Sequence, residues 1–244
     1  MKDERTMMTP LLVEKLREKF PEVLLGESRA DGRVLDLSRL SPEQIETLKM
    51  DLLFFHGHPT LPVENVFNTL ETYEVKNDSH EKALTWANRI LALEDHSRTA
   101  GLYLYGPSGI GKTHLAVSLG KEFEKRGLET FFAQGGDNPL YRLSIASQGS
   151  DLLSRYQAWV IDDLNSPYGT DMGAFKNIVM HAHNRGGGRI FVTSNVSLSY
   201  LVENGFVTDI NQKKRYVDRI KGMFQVVELD GLSHRESKAW HAES

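Results

Sequence analysis

Residues 106–113 have the sequence GPSGIGKT, whose spacing G-x-x-x-x-G-K-T is typical of phosphate-binding loops. Glycines allow consecutive backbone N–H groups to point into one concavity, and the dipole of a following helix adds positive potential there. We expect the Lys112 ammonium to reach the β- and γ-phosphates and the Thr113 hydroxyl to ligate Mg²⁺. The motif therefore predicts a bound nucleoside triphosphate, contacted by Gly106, Pro107, Ser108, Gly109, Ile110, Gly111, Lys112, Thr113 and His114.

Two adjacent aspartates follow the continuous apolar segment 158–161. Such a segment is typical of a strand that is covered on both faces of a parallel sheet. An acid pair after a strand is often only a turn, but the phosphate-binding loop upstream favours the acid pair of a nucleoside triphosphatase. We therefore expect Asp162 to hold Mg²⁺ through its water shell, and Asp163 to orient or deprotonate the attacking water.

Alternating strands and helices are predicted to position these residues. The pattern predicts strands at 102–105, 129–133, 158–161 and 189–193, and helices at 79–93, 140–153 and 172–184. This alternation predicts a parallel, doubly wound α/β sheet, whose ligands lie at the carboxyl ends of the strands. Asn195 follows the last of these strands, where its amide can hydrogen-bond the γ-phosphate or the water that it polarises.

A basic segment at 212–222 is predicted to be a helix, with Tyr216, Val217 and Ile220 as its apolar positions. Its charges could simply form a solvated face. Alternatively, one of its arginines enters the site of a neighbouring subunit and neutralises transition-state charge, or its lysines meet nucleic-acid phosphates. The residues alone leave these three uses open.

Composition narrows the class of protein. The chain has 244 residues, of which 40% are hydrophobic and 25% are charged, as in an ordinary globular protein. Its net charge of −4 limits any DNA contact to a local patch. The sequence has no cysteine, no signal-peptide core and no apolar run of roughly 18 residues, so we expect a cytoplasmic protein without a membrane span.

Residues 1–65 are predicted to form a small, mainly helical region that precedes the main domain at 66–244. One of its helices begins after Ser41, where Ser41 and Gln44 have the spacing of a capping box. The region is either a docking surface for a partner or an extension that packs on the main domain. The sequence favours neither.

Five segments occur in an order that resembles the DnaC/DnaI/IstB-type AAA+ ATPases over residues 66–240: GPSGIGKTHLA, WVIDDL, VTSN, RYVDRI and LDGLSHRES. The resemblance implies an α/β fold with an AAA+ P-loop core, a parallel five-stranded sheet flanked by helices, and no C-terminal helical lid. It also implies that ATP is hydrolysed with Mg²⁺ and that Asn195 acts as sensor 1. Arg219, with Arg215 beside it, would match the arginine finger, and Arg235 would match the sensor 2 arginine that contacts the γ-phosphate.

Three features depart from the family's pattern. Asp163 stands where many members have glutamate, which shortens the side chain by one methylene and is expected to slow hydrolysis. Asn165 and Ser166 replace a more usual continuation that contains glycine. The amino-terminal region has no cysteine, so the zinc-binding, helicase-docking domain of some loaders is not expected, and the identity of the partner stays open.

The resemblance favours a helicase loader of DNA replication. In this hypothesis residues 1–60 grip a replicative, DnaB-type hexameric helicase, and ATP favours self-assembly through Arg219. The assembly holds single-stranded DNA until hydrolysis, slow before assembly, releases the loader. Two alternatives stay open: an IstB-like transposition ATPase that acts on duplex DNA with a transposase, and an adaptor that regulates a DnaA-type initiator and uses ATP only as a switch.

Overall fold

The computed structural model describes residues 10–19, 24–27, 33–36, 40–57, 61–94, 98–136, 153–205 and 210–233. Nearly all of the helix predicted at 140–153 lies outside these ranges, and so does Arg235. The chain divides into two compact units, Met1–Phe67 and Asn68–Ser244. None of the helices within the described ranges combines the length and the apolar character that crossing a lipid bilayer requires.

The described residues of the amino-terminal unit form α1 (Pro10–Lys19), a hairpin of β1 (Leu24–Glu27) and β2 (Arg33–Asp36), α2 (Pro42–Gly57) and a 3₁₀ turn (Val63–Asn65). Its core is built around Leu16, Leu48 and Val66. The predicted capping box is confirmed, because the Ser41 N–H donates to the Gln44 side chain at 2.8 Å and the Gln44 N–H donates to the Ser41 hydroxyl at 3.2 Å.

The hairpin was not predicted. Its two antiparallel strands have four residues each and pair from Leu24 with Asp36 to Glu27 with Arg33. Segments this short carry too few residues for an alternating apolar pattern to be recognised. The amino-terminal region is therefore mainly helical, as predicted, but its helices are joined through a two-stranded sheet.

The second unit alternates strands and helices: α3 (Asp78–Leu91), β3 (Thr99–Tyr105), α4 (Lys112–Lys125), β4 (Thr130–Gln134), β5 (Ala158–Asp162), α5 (Gly169–Arg185), β6 (Gly188–Ser194), α6 (Leu198–Gly205), α7 (Ile210–Met223) and β7 (Phe224–Glu228). The strands form one sheet in the order β4-β5-β6-β3-β7, and all neighbouring pairs are parallel. The predicted α/β fold with a five-stranded parallel sheet is confirmed. The edge strand β7 had no prediction of its own.

The register of the central strands brings the polar ends of β5 and β6 together. Ile161 pairs with Val192, so the next residues along the two strands, Asp162 and Thr193, are neighbours on one face of the sheet. Every residue of β5 and of β6 is buried. Helices pack against these strands, and the register places polar side chains side by side at their carboxyl ends, where the predicted site residues are found.

Candidate nucleotide-binding and hydrolysis site

The phosphate-binding loop connects the central strand β3 to the first turn of α4. Gly106 follows β3 with a φ of 141°, and a Cβ at this position would overlap the carbonyl oxygen of Leu229, the residue after β7. Only glycine fits this approach. Gly111 ends the loop in the left-handed conformation, and α4 begins at Lys112, so the helix amino terminus faces the concavity of the loop.

The side chain of Lys112 folds back over the phosphate-binding loop. Its ammonium donates to the carbonyls of Gly106 at 2.9 Å and Pro107 at 2.7 Å, and to Asn195 Oδ1 at 3.1 Å. The residue is 4% exposed, and this burial lowers the pKa of the ammonium, while the nearby Asp163 and Asp162 raise it. Phosphate oxygens would replace neutral carbonyl acceptors by charged ones, which form stronger hydrogen bonds with an ammonium.

Asp162 is the buried acid of the site, with 2% of its surface exposed. Its Oδ1 accepts two hydrogen bonds, from the Thr113 hydroxyl at 2.8 Å and from the Thr193 hydroxyl at 2.5 Å. Burial raises the pKa of the carboxyl to about 6, although both hydroxyl bonds act to lower it. The Lys112 ammonium also lowers this pKa and the charge of Asp163 raises it, so burial outweighs the groups that favour the charged form.

Asp163 has a φ of 57°, which makes it the one non-glycine residue with a positive φ among those described. This left-handed conformation is unusual for a side-chain-bearing residue and is found most often at functional sites. The Asp163 N–H donates to the Thr193 hydroxyl at 2.9 Å. The backbone therefore turns sharply at Asp163, at the carboxyl end of β5 beside Lys112.

Asn195 follows β6, and its side chain meets Lys112 in the contact given above. Its own N–H donates to Asn165 Oδ1 at 2.7 Å, so Asn165, in the segment after the acid pair, holds the backbone of Asn195. Sequence reasoning noted Asn165 only as a departure from the family. The structure shows that this departure links the ends of β5 and β6.

His114 and Tyr73 lie on the other side of the loop. The His114 ring nitrogen Nε2 is 2.9 Å from the Thr69 carbonyl oxygen and 3.1 Å from the Thr72 hydroxyl, and the Tyr73 ring meets the imidazole edge to face at 5.5 Å. Burial raises the pKa of Tyr73 to about 12, and its hydroxyl has no hydrogen-bond partner among the described residues. Tyr73 was not predicted, because a single aromatic residue before a helix has no distinguishing pattern.

The predicted arginines are not joined to this cluster in the described structure. Arg219 lies on the exposed face of α7, with its guanidinium 4.0 Å from the Met180 sulfur on α5. It forms no ion pair with any described carboxylate. The opposite face of α7 packs into the core through Ile220, as predicted. The side chain of Arg215 and the whole of Arg235 lie outside the described residues.

Comparisons with known proteins identify a family of ATP-binding proteins and solved structures of the same fold. A family model described as IstB-like ATP binding protein matches residues 61–242. A 48-residue segment is 44% identical to the predicted ATP-binding protein of insertion sequence IS5376 from Geobacillus stearothermophilus; it covers 20% of this chain and 19% of that relative's length. The crystal structure of DnaI matches with a TM-score of 0.57 at 22% identity, over 71% of this chain and 93% of that chain. The crystal structure of the DnaC helicase loader matches with a TM-score of 0.53 at 23% identity, over 67% and 97%.

Proposed function

This chain belongs to the family of IstB-like ATP-binding proteins, and from that premise we propose that it is an ATP-driven helicase loader of DNA replication. Its ATPase activity follows from the family and from the P-loop fold. The observation that carries the rest is the convergence of Lys112, Thr113, Asp162 and Asn195 at the carboxyl edge of one parallel sheet. Ligands of such sheets bind at this edge.

The oxygen atoms around Asp162 fit Mg²⁺. The carboxylate and the Thr113 hydroxyl are hard oxygen donors, and among the described residues nothing donates to Asp162 Oδ2. Burial raises the pKa of Asp162, and a divalent cation at the carboxylate would favour its charged form, which supports the assignment. In the proposed mechanism Thr113 and Asp162 would hold the ion, which would supply positive charge to the phosphates.

The chain's own residues supply the remaining steps of hydrolysis. Lys112 exchanges its loop carbonyls for the β- and γ-phosphate oxygens, and backbone N–H groups of the loop bind the phosphates. Asp163 orients the attacking water and accepts its proton. Asn195, held by Asn165, keeps its amide beside the ammonium and the γ-phosphate. Slow turnover by the isolated chain is expected, because the finger arginine comes from a neighbour.

The exposed position of Arg219 supports assembly in trans. An arginine without an ion-pair partner among the described residues, on the open face of a helix, is available to the nucleotide of an adjacent copy. In the proposed cycle ATP favours this assembly, residues 1–65 dock a DnaB-type helicase, and single-stranded DNA is held by the assembly. The similarity to the DnaC helicase loader and the separate core of the amino-terminal unit support this role.

A transposition ATPase is the second candidate. The 48-residue similarity to an insertion-sequence protein favours it. In that case the assembly acts on duplex DNA and recruits a transposase. It predicts duplex preference with affinity that falls steeply as salt rises.

Helicase retention on DNA tests the proposal. The full chain, the replicative helicase of its host and single-stranded DNA circles are mixed, and the helicase that co-elutes with the circles is measured by gel filtration. We expect retention with ATP and loss with ADP. Equal retention with both nucleotides would contradict the ATP-driven cycle, and binding of duplex DNA without helicase would favour the transposition ATPase.

Arg219→Ala tests the assembly step. We expect wild-type ATP affinity but a turnover lower by about 100-fold or more, since an arginine finger acts only on the transition state. Lys221→Ala removes another exposed cation of α7 and serves as the control, with turnover close to wild type. If turnover per chain is the same in wild type and Arg219→Ala at every protein concentration, Arg219 has no role in trans.

A further inference from the structure

Thr193 contacts both acids of the site through one hydroxyl. Its Oγ1 donates to Asp162 Oδ1 at 2.5 Å and accepts the N–H of Asp163 at 2.9 Å. The side chain is completely buried. We propose that Thr193 is a positioning residue for ATP hydrolysis, which sets the metal-binding acid and the water-orienting acid in one arrangement.

The hydrogen-bond chemistry leaves the hydroxyl a single orientation. A threonine hydroxyl has one proton and two acceptor lone pairs. Because the Asp163 N–H can only donate, the hydroxyl accepts at that contact, and its only proton goes to the carboxylate of Asp162. The β-branched side chain is restricted at χ1, so the hydroxyl cannot readily turn away. The pairing of Ile161 with Val192 also places Asp162 and Thr193 side by side in the sheet.

The hydrogen bond from the Asp163 N–H to the Thr193 hydroxyl helps to hold the left-handed backbone of Asp163. Its N–H is held by Thr193, and its carbonyl oxygen lies only 2.5 Å from the position that a Cβ on Gly135 would occupy. The Gly135 N–H also donates to the Asp162 carbonyl oxygen at 2.8 Å. The turn at Asp163 is therefore enclosed by Thr193 on β6 and by Gly135 after β4. These contacts fix the direction in which the Cβ of Asp163 leaves the backbone.

This inference rests on the proposed roles of Asp162 and Asp163, and it adds a dependence between them. A change at Thr193 releases the orientation of the Asp162 carboxylate and the backbone of Asp163 together. We expect the phosphate-binding loop and Lys112 to stay in place, since the hydrogen bonds of the Thr193 side chain go to Asp162 and Asp163. The expected signature is a loss of turnover and of Mg²⁺ affinity without a loss of nucleotide affinity.

Thr193→Val tests the proposal, because valine has the same shape and lacks the hydroxyl. We expect kcat to fall by about 10- to 100-fold and the Mg²⁺ concentration for half-maximal turnover to rise about 10-fold, the range seen when residues behind a metal ligand are changed. The KM for ATP should stay within about two-fold. Thr193→Ser keeps the hydroxyl and should recover most of the turnover.

Thr130→Val is the matched control. Thr130 is also a buried threonine of this sheet, on β4, but its hydroxyl donates to the Gly120 carbonyl at 3.2 Å and to no acid. It should cost similar stability and leave kcat and Mg²⁺ dependence unchanged. Equal turnover and Mg²⁺ dependence in Thr193→Val and Thr130→Val would overturn the positioning role.

A second variant keeps the test decisive if Thr193→Val does not fold. Gly135→Ala places a methyl group against the Asp163 carbonyl and should lower kcat while ATP affinity stays close to wild type. Unchanged kcat in Gly135→Ala, together with no measurable turnover in Thr193→Ser, would count against the inference. Failure of the proposed function would look different from these outcomes, because the wild-type protein itself would then show no Mg²⁺-dependent turnover.

Discussion

Two charged side chains are almost completely buried at opposite ends of the same sheet, and they differ in what surrounds them. Arg189, near the amino end of β6, is 1% exposed, and Asp162, at the carboxyl end of β5, is 2% exposed. The Arg189 guanidinium donates to the backbone carbonyls of Arg98 at 2.8 Å, Gly188 at 3.2 Å and Leu93 at 3.4 Å. Asp162 has two hydroxyl donors, and both reach the same oxygen.

We interpret the difference as that between a structural charge and a charge that serves the proposed function. Arg189 also lies over the Phe123 ring, with 6.0 Å between its guanidinium carbon and the ring centroid, so neighbours within the fold supply acceptors to its two terminal nitrogens and a favourable ring face. Burial raises the pKa of Asp162 to about 6, so its charge is retained at neutral pH at a cost in stability. At the amino end the fold itself supplies acceptors to the terminal nitrogens of the guanidinium, whereas the Asp162 carboxylate at the other end is proposed to gain further interactions from a ligand.

Of the three substitutions that test this comparison, Arg189→Met should have the largest effect. It leaves backbone carbonyls buried without a donor, and we expect the free energy of unfolding to fall by about 3–5 kcal/mol. Urea denaturation measures the change. Arg155→Met, at an exposed arginine, should change the same free energy by less than about 0.5 kcal/mol. Similar losses in both variants would show that Arg189 is not the structural charge described above.

Lys112→Ala should show that the carboxyl end depends on its ligand. We expect ATP affinity to fall by about 100-fold, because several charge-assisted hydrogen bonds to phosphate are lost, while the free protein stays folded. Titration calorimetry measures the affinity. Lys121→Ala is the control, since Lys121 is a second buried lysine of α4, whose ammonium donates to the Asn68 carbonyl. ATP binding that survives Lys112→Ala would place the nucleotide elsewhere.

Asp162→Asn should have the smallest effect, and it should stabilise the nucleotide-free protein. The amide keeps an oxygen for the two hydroxyls and removes the buried charge, so we expect the nucleotide-free protein to gain about 1–3 kcal/mol of stability at pH 7. Because the pKa is raised in the fold, the penalty of the charge is complete above pH 6 and fades as the pH falls towards 4. The advantage of the variant should fade in the same range. Thermal melting across pH, with and without Mg-ATP, measures both effects.

A destabilised Asp162→Asn protein would contradict this interpretation of the buried charge. So would an equal stabilisation of wild type and variant by Mg-ATP, since the variant lacks the carboxylate that is proposed to hold the ion. Either result would make Asp162 a structural residue like Arg189, and the contrast between the two ends of the sheet would disappear.

The strands and the phosphate-binding loop could be predicted because their patterns are local. A glycine-rich spacing before a helix, or an apolar segment such as 158–161, is recognised within a few residues. β7 escaped prediction because only one side of this edge strand is paired and its burial alternates weakly. The roles assigned to Asp163, Asn195 and Arg219 stay predictions.

The residues that were missed act through register and close approach. Thr193 was recognised only as part of a motif, because its position beside Asp162 depends on how β5 and β6 pair. Gly135 looks like any turn glycine until the Asp163 carbonyl is placed against it. Tyr73 reaches His114 from a segment with no regular pattern. Distances across a sheet are not encoded in the spacing of residues along one strand.

The contact between Gly106 and the Leu229 carbonyl has a consequence for protein engineering. The phosphate-binding loop is built against the backbone that leaves β7, and the Leu229 N–H also donates to the Tyr105 carbonyl at 2.7 Å. The atoms of Leu229 that lie against Gly106 belong to its backbone and not to its side chain. The Leu229 side chain is itself fully buried and accepts only apolar replacements of similar size, whereas inserting or deleting one residue between β7 and Gly231 would displace the backbone that packs against the phosphate-binding loop. Tags, linkers and fusion points are therefore better placed after that turn than within it.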